Sequence, residues 1–91
     1  MLFMKIVYID PEKKPECIKL RTSAGVPELP GVKIIGEWST IDSSRVFLVL
    51  EITDTRDLLK MIYPYQHMTR DEIFPIMDTE EKLKLTSADK K

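Results

Sequence analysis

The stretch "VKIIGEWSTIDSSRVFLVLEITD", residues 32–54, carries two runs rich in β-branched and aromatic residues around the polar segment "TIDSS". Residues 32–40 read as one strand and residues 45–52 as the next. Asp, Ser and Ser between them supply side chains that fold back on their own backbone, so the pair is predicted to be an antiparallel hairpin. A central hairpin of this kind leaves the remaining elements few places to go.

Upstream, "LFMKIVYI", residues 2–9, has strand composition and stops at Asp10-Pro11. Asp10 can cap a helix, and proline suits a first helical position, where its missing N–H is no loss. A helix is therefore predicted to start between Pro11 and Pro15 and to end before Gly25, with Cys17, Ile18, Leu20 and Arg21 near its core side. The segment "VPELPG" then connects it to the hairpin. Downstream, Asp54 is a second N-cap, and Leu58, Leu59 and Ile62 fall at helical core spacing. Pro64 disfavours helix at Tyr63, so this helix is expected to stop near there. "RDEIFPIM", residues 70–77, is the last strand; Pro75 cannot donate to a ladder and points to a sheet edge. A short helix is expected near residues 79–85.

The order β-α-β-β-α-β predicts an α+β, ferredoxin-like fold, with two helices on one face of a four-stranded antiparallel sheet. The expected division is a ferredoxin-like domain over residues 1–78, followed by a short C-terminal helix and charged tail over residues 79–91.

Strand alternation sorts the side chains into two sets. Met4, Ile6, Tyr8, Val32, Ile34, Gly36, Val46, Leu48, Leu50, Ile52, Ile73 and Met77 form a nearly apolar set that is expected to face the helices. Phe3, Lys5, Val7, Ile35, Glu37, Phe47, Val49, Glu51 and Phe74 belong to the other set. That face mixes too much apolar surface for water with too much charge for a core, so it is expected to meet a second copy of the chain. The small size of the chain argues the same way, since 91 residues bury only roughly 60 to 65% of their unfolded surface. The predicted assembly is a homodimer built sheet to sheet, a dimeric α/β barrel.

Composition narrows the partners. With 14 basic against 15 acidic side chains, the net charge of -1 offers no field for nucleic acid or an anionic membrane. An RNA-recognition domain shares the element order, but the third strand reads Arg45, Phe47, Val49, Glu51 instead of alternating aromatics, and its glutamates oppose a phosphate backbone. No nucleic-acid partner is expected. No apolar run reaches the ~18 residues of a membrane span, and the opening segment carries Lys5 where a signal peptide would be apolar. One cysteine and one histidine make neither a disulfide nor a zinc site. A cytoplasmic location, no metal and no cofactor are the corresponding expectations.

Several of these segments carry a resemblance. "MLFMKIVY" followed by a Pro-Glu helix start, "PGVKIIGEW", "RVFLVLEITD" and "IFPIMDTEE" are together similar to the uncharacterised family known as domain of unknown function 3303, over about residues 2–81. The resemblance implies a dimeric α/β-barrel relative and brings no established activity.

Candidate chemistry gathers at "YPYQH", residues 63–67, and at Trp38. Tyr8, Trp38, Tyr65 and His67 are predicted to line one mouth between the sheet and its helices, with His67 as the candidate catalytic proton carrier because its ordinary pKa lies near neutrality. Against this, the simpler reading of His67 is a solvent-facing loop residue and that of Trp38 a packing anchor. No glycine-rich phosphate loop fits among three glycines, and no nucleophile-base-acid set is visible. Three readings stay open: a dimeric module that binds a small molecule or a protein, a cofactor-free monooxygenase-like enzyme for a small aromatic or polyketide-like substrate, and a metabolite-sensing regulatory domain.

Overall fold

The computed structural model describes residues 1–26 and 28–88. Four strands, β1 (Leu2–Ile9), β2 (Val32–Ser39), β3 (Arg45–Ile52) and β4 (Thr69–Pro75), form one antiparallel sheet in the order β2-β3-β1-β4. Helices α1 (Lys14–Ala24) and α2 (Thr55–Ile62) are the two crossovers, and α3 (Thr79–Ala88) follows the last strand. This is the α+β, ferredoxin-like arrangement that the element order predicts. Residues 89–91 of the expected tail, and Pro27 of the connector, lie outside the described residues.

The local signals act as their chemistry requires. Asp10 accepts a hydrogen bond from the Glu12 N–H at 3.0 Å and opens a 3-10 turn over Pro11–Lys13 that leads into α1. Asp54 does the same for α2 through the Arg56 N–H at 2.9 Å. Helix α2 ends at Ile62, one residue before the Tyr63–Tyr65 turn that contains Pro64. At the hairpin, Asp42 accepts from the Thr40 and Ser44 hydroxyls, both at 2.7 Å, and from the Ser44 N–H at 3.0 Å. Ser43 takes the left-handed conformation, φ 60°, that closes the turn. Pro75 ends β4 on the sheet edge, where a missing N–H leaves no ladder bond broken.

The core consists of Val32, Leu48, Leu50, Ile52 and Met61, with Phe3, Val7, Ile34, Val46 and Leu58 packed against it. Two expectations are corrected here. In α2 the buried positions are Asp57 and Met61, while Leu59 is 59% exposed. Asp57 turns inward because its Oδ2 accepts from the Gly31 N–H at 2.7 Å, which ties the helix to the start of β2. Asp57 and Met61, four residues apart, share the helix face turned to the sheet, and Leu59 does not.

The second correction concerns β1. Its register pairs Phe3 with Leu50, Lys5 with Leu48 and Val7 with Val46, so Phe3, Lys5 and Val7 share the helix-covered face. Met4, Ile6 and Tyr8 lie on the open face, opposite to the predicted assignment. Alternation alone placed Lys5 outside, since a lone charge does not belong in a core. Asp71 on β4 answers that charge from a neighbouring strand: its Oδ2 lies 3.5 Å from Lys5 Nζ. Glu37 also moves to the covered face. The register of β2 against β3 skips between Ile34 and Gly36, leaving Ile35 as the extra residue of a bulge and inverting the alternation beyond it.

Candidate functional site

A cavity of about 210 Å³ lies between the sheet and α1. Val7, Ile9, Ile34, Val46 and Leu48 from the strands, Cys17 and Ile18 from α1, and Met61 from α2 make its apolar walls; Tyr65 bounds it as well. Four charged side chains line it as well. Lys5 and Asp71 are 7% and 11% exposed, and Asp71 Oδ1 is buried with no hydrogen-bond partner among the described residues. Arg21 of α1 pairs with Glu37 through two parallel bonds, Nη1 to Oε2 at 2.9 Å and Nη2 to Oε1 at 3.0 Å. The bulge at Ile35 is what aims Glu37 at α1.

Burial governs how these groups ionise. It lowers the Lys5 ammonium below its usual pKa, and the Asp71 carboxylate only partly offsets that. Burial raises the Cys17 thiol, with the Asp71 charge pushing the same way, so Cys17 remains a neutral thiol and not a nucleophile. The Tyr65 phenol is likewise raised by burial, partly opposed by Arg21, and stays protonated as a hydrogen-bond donor. The bidentate bond to Glu37 raises the Arg21 guanidinium further. The cavity thus offers two ion pairs, the neutral Tyr65 phenol and the hydroxyl residues Thr22, Ser39, Ser43 and Thr69 among apolar walls. That set is suited to recognition of a small molecule.

The predicted pocket residues separate. Tyr65 lines the cavity. Tyr8 lies on the open face, its ring beneath the Arg70 guanidinium at 4.2 Å and near that of Arg45 at 5.8 Å. Trp38 also lies on the open face, 61% exposed, with its indole folded over Gly36; a Cβ at Gly36 would collide with the ring. His67 stands away from the cavity, its Nε2 3.3 Å from Glu16 Oε1 and its side chain 58% exposed. It borders a separate surface depression with Tyr8 and Arg70. The stretch after Pro64 serves mainly as a helix stop: Met68 is 1% exposed, its N–H donates to Tyr65 O, and its carbonyl accepts from the Asp10 N–H.

Of the predicted dimer face, Phe47, Val49, Glu51 and Phe74 lie on the open face and Ile35 at the exposed bulge, while Phe3, Lys5, Val7 and Glu37 are turned to the helices. Sequence reasoning missed Lys5, Asp71, Arg21 and Glu37 as a set. Lys5 and Asp71 are 66 positions apart, and only the strand order brings them together.

Among the described residues no helix is long and apolar enough to cross a membrane, and no group of three or more His, Cys, Asp or Glu side chains is placed to hold a metal ion. No curated protein and no solved structure matches the chain. One family model does, over residues 1–89. With nearly the whole length matched, the chain belongs to the family described as Domain of unknown function (DUF3303).

Proposed function

We propose that this protein is a small-molecule-binding domain that works as a homodimer, with the ligand held between the sheet and α1 and the open sheet faces packed together. The observation that carries the ligand reading is the charged floor of the cavity. A charged pair as deeply buried as Lys5 and Asp71 is costly to desolvate, and an apolar pair of similar volume would stabilise the fold as well or better. Its place beside an open cavity, with the Arg21–Glu37 pair also lining that cavity, fits a recognition role.

The open face supports the second half of the proposal. Across the strands, Trp38, Phe47 and Ile6 form one row and Val49, Met4 and Phe74 the next, an apolar centre two rows deep. Arg45, Tyr8 and Arg70 border it at one end, and Lys33 paired with Glu51 at the other. An apolar centre with a polar rim is the anatomy of a protein interface. A second copy of the same face offers matching apolar area and both signs of rim charge. The monooxygenase-like reading gains no such support, because His67 lies outside the cavity.

The test is a fragment titration followed by amide correlation spectra, combined with sedimentation on the same sample. Shifts that converge on Cys17, Arg21, Leu48, Tyr65 and Asp71 in a dimeric species support the proposal. Shifts confined to other surfaces sink the cavity reading, and a monomer at all concentrations sinks the dimer.

A further inference from the structure

The open face of the sheet carries its apolar residues as a band that runs across the strands. Trp38 on β2, Phe47 and Val49 on β3, Ile6 and Met4 on β1 and Phe74 on β4 span the full width of the sheet but only two rows along the strand direction. With strands about 4.8 Å apart and same-face neighbours about 7 Å apart, the band is roughly twice as wide as it is deep. Two such bands cover each other only when the sheets pack with their strands aligned. Sheets crossed at right angles leave the ends of both bands in water.

Aligned packing of two identical faces about a two-fold axis allows two arrangements. With the axis along the strands, like ends meet. Arg45 and Arg70 flank Tyr8 at one end of the face, their guanidiniums 5.8 and 4.2 Å from its ring, so this arrangement gathers four guanidiniums in one place. Glu72, one row further in, already meets Arg70 at 3.4 Å. With the axis across the strands, opposite ends meet. An axis at the level of Leu48 then sets Phe47 against the partner's Val49 and Arg45 against the partner's Glu51, because the members of each pair stand evenly about that level on β3.

The two charges fit that contact. No carboxylate among the described residues pairs with Arg45. Glu51 meets the Met1 amine through Oε1 and lies opposite Lys33 in the ladder, while its Oε2 accepts from no donor among the described residues. We infer that two copies of this chain pack with strands aligned and opposite ends together, so that Arg45 of each copy pairs with the partner's Glu51 at either side of the apolar band. This rests on the reading of the open face as the dimer interface and adds the orientation that the second copy takes on it.

Exchanging the charges tests it. Arg45→Glu and Glu51→Arg each turn both symmetric contacts into like-charge pairs, and sedimentation equilibrium at low salt is expected to show the dimer dissociation constant raised about tenfold or more for either variant alone. Mixed in equal amounts, the two variants form a heterodimer in which both contacts are again of opposite charge, and its dissociation constant is expected within about threefold of the parent's. Such rescue has to cross the interface. Residues 45 and 51 are six positions apart on one strand, about 20 Å, and cannot meet within a chain.

Circular dichroism verifies the sheet in each variant. The doubly exchanged chain, Arg45→Glu with Glu51→Arg, is expected to dimerise as the parent does and repeats the test in a single chain where one of the variants does not fold. Variants that do not rescue each other, or that dimerise as well as the parent when alone, overturn the orientation without touching the sheet-to-sheet dimer. A parent chain that is monomeric at all concentrations overturns both.

Discussion

Lys5 and Asp71 hold each other in place, and removing one exposes what the other costs. Asp71→Asn leaves a buried ammonium without its counter-charge, which is expected to lower stability by about 3–5 kcal/mol in urea unfolding. The double change Lys5→Met with Asp71→Leu is expected to cost far less, or to stabilise. Because the Lys5 pKa is lowered on folding, the unfolded chain binds more protons there, and stability at this site rises with pH. The deficit of Asp71→Asn is therefore expected to shrink as the pH is raised toward the ordinary lysine value of 10.5. A deficit that does not change with pH would show that the lost contact is packing and not charge.

Asp42 has the opposite sign. Hydrogen bonds from Ser44 and Thr40 hold its carboxyl at about 2, below the usual 3.8. Its contribution to the hairpin is thus fully present above the unfolded value and is lost as the pH falls from 3.8 toward about 2. Chemical-shift titration of the Asp42 carboxyl should give that low midpoint, and Asp42→Ala should remove the associated acid sensitivity of the 40–45 turn. A midpoint near 3.8 in the folded protein would contradict the turn geometry.

At the scale of elements, the start of β2 and the start of α2 are held closely together at Gly31. Gly31 donates to Asp57 and accepts from the Thr53 and Asp54 N–H groups at 2.9 and 3.2 Å. A Cβ at Gly31 would lie against Asp54 Cβ and Asp57 Oδ2, so Gly31→Ala has to push the N-terminus of α2 away from the sheet. The expected cost is about 1–3 kcal/mol of unfolding free energy in a urea titration, with the largest shift changes at Asp54, Asp57 and Met61. A neutral result would mean that α2 slides freely on the sheet. The bulge in β2 matters in another way: one extra residue, Ile35, sends Glu37 to Arg21 and the cavity while Trp38 goes to the open face. Two neighbouring residues thereby serve the two halves of the proposed function.

At the scale of the whole molecule, the two faces of the sheet differ, with a cavity on one side and an apolar plane on the other. Phe47 stands in the middle of that plane between Trp38 and Ile6, so Phe47→Glu places a charge at the centre of the proposed interface. Sedimentation equilibrium is expected to show a dimer dissociation constant raised at least about a hundredfold, because burying an unpaired charge at a central contact costs several kcal/mol. Circular dichroism of the monomer should remain that of the folded sheet, since Phe47 makes no part of the core. If the variant is as dimeric as the parent, the copies meet through some other surface. Helix α3 leaves Leu83 and Leu85 more than half exposed, and neither packs against the core described above.

Local chemistry is enough to specify the elements and their order. Strand composition in residues 2–9 and 45–52, the caps at Asp10 and Asp54, the Asp-Ser turn and the stop at Pro64 each act within a few residues, so they are legible along the chain. Pro75 likewise marks β4 as an edge strand. What faces the cavity is not legible in this way. Alternation gives two sets per strand but not which set is covered, and an ion pair between distant strands can bury the charged set, as Lys5 and Asp71 do. A single bulge reverses the assignment again, as Glu37 shows. The sequence by itself therefore determined the ferredoxin-like framework, while only the tertiary structure decided the site, because burial of a charge depends on which strand lies beside it.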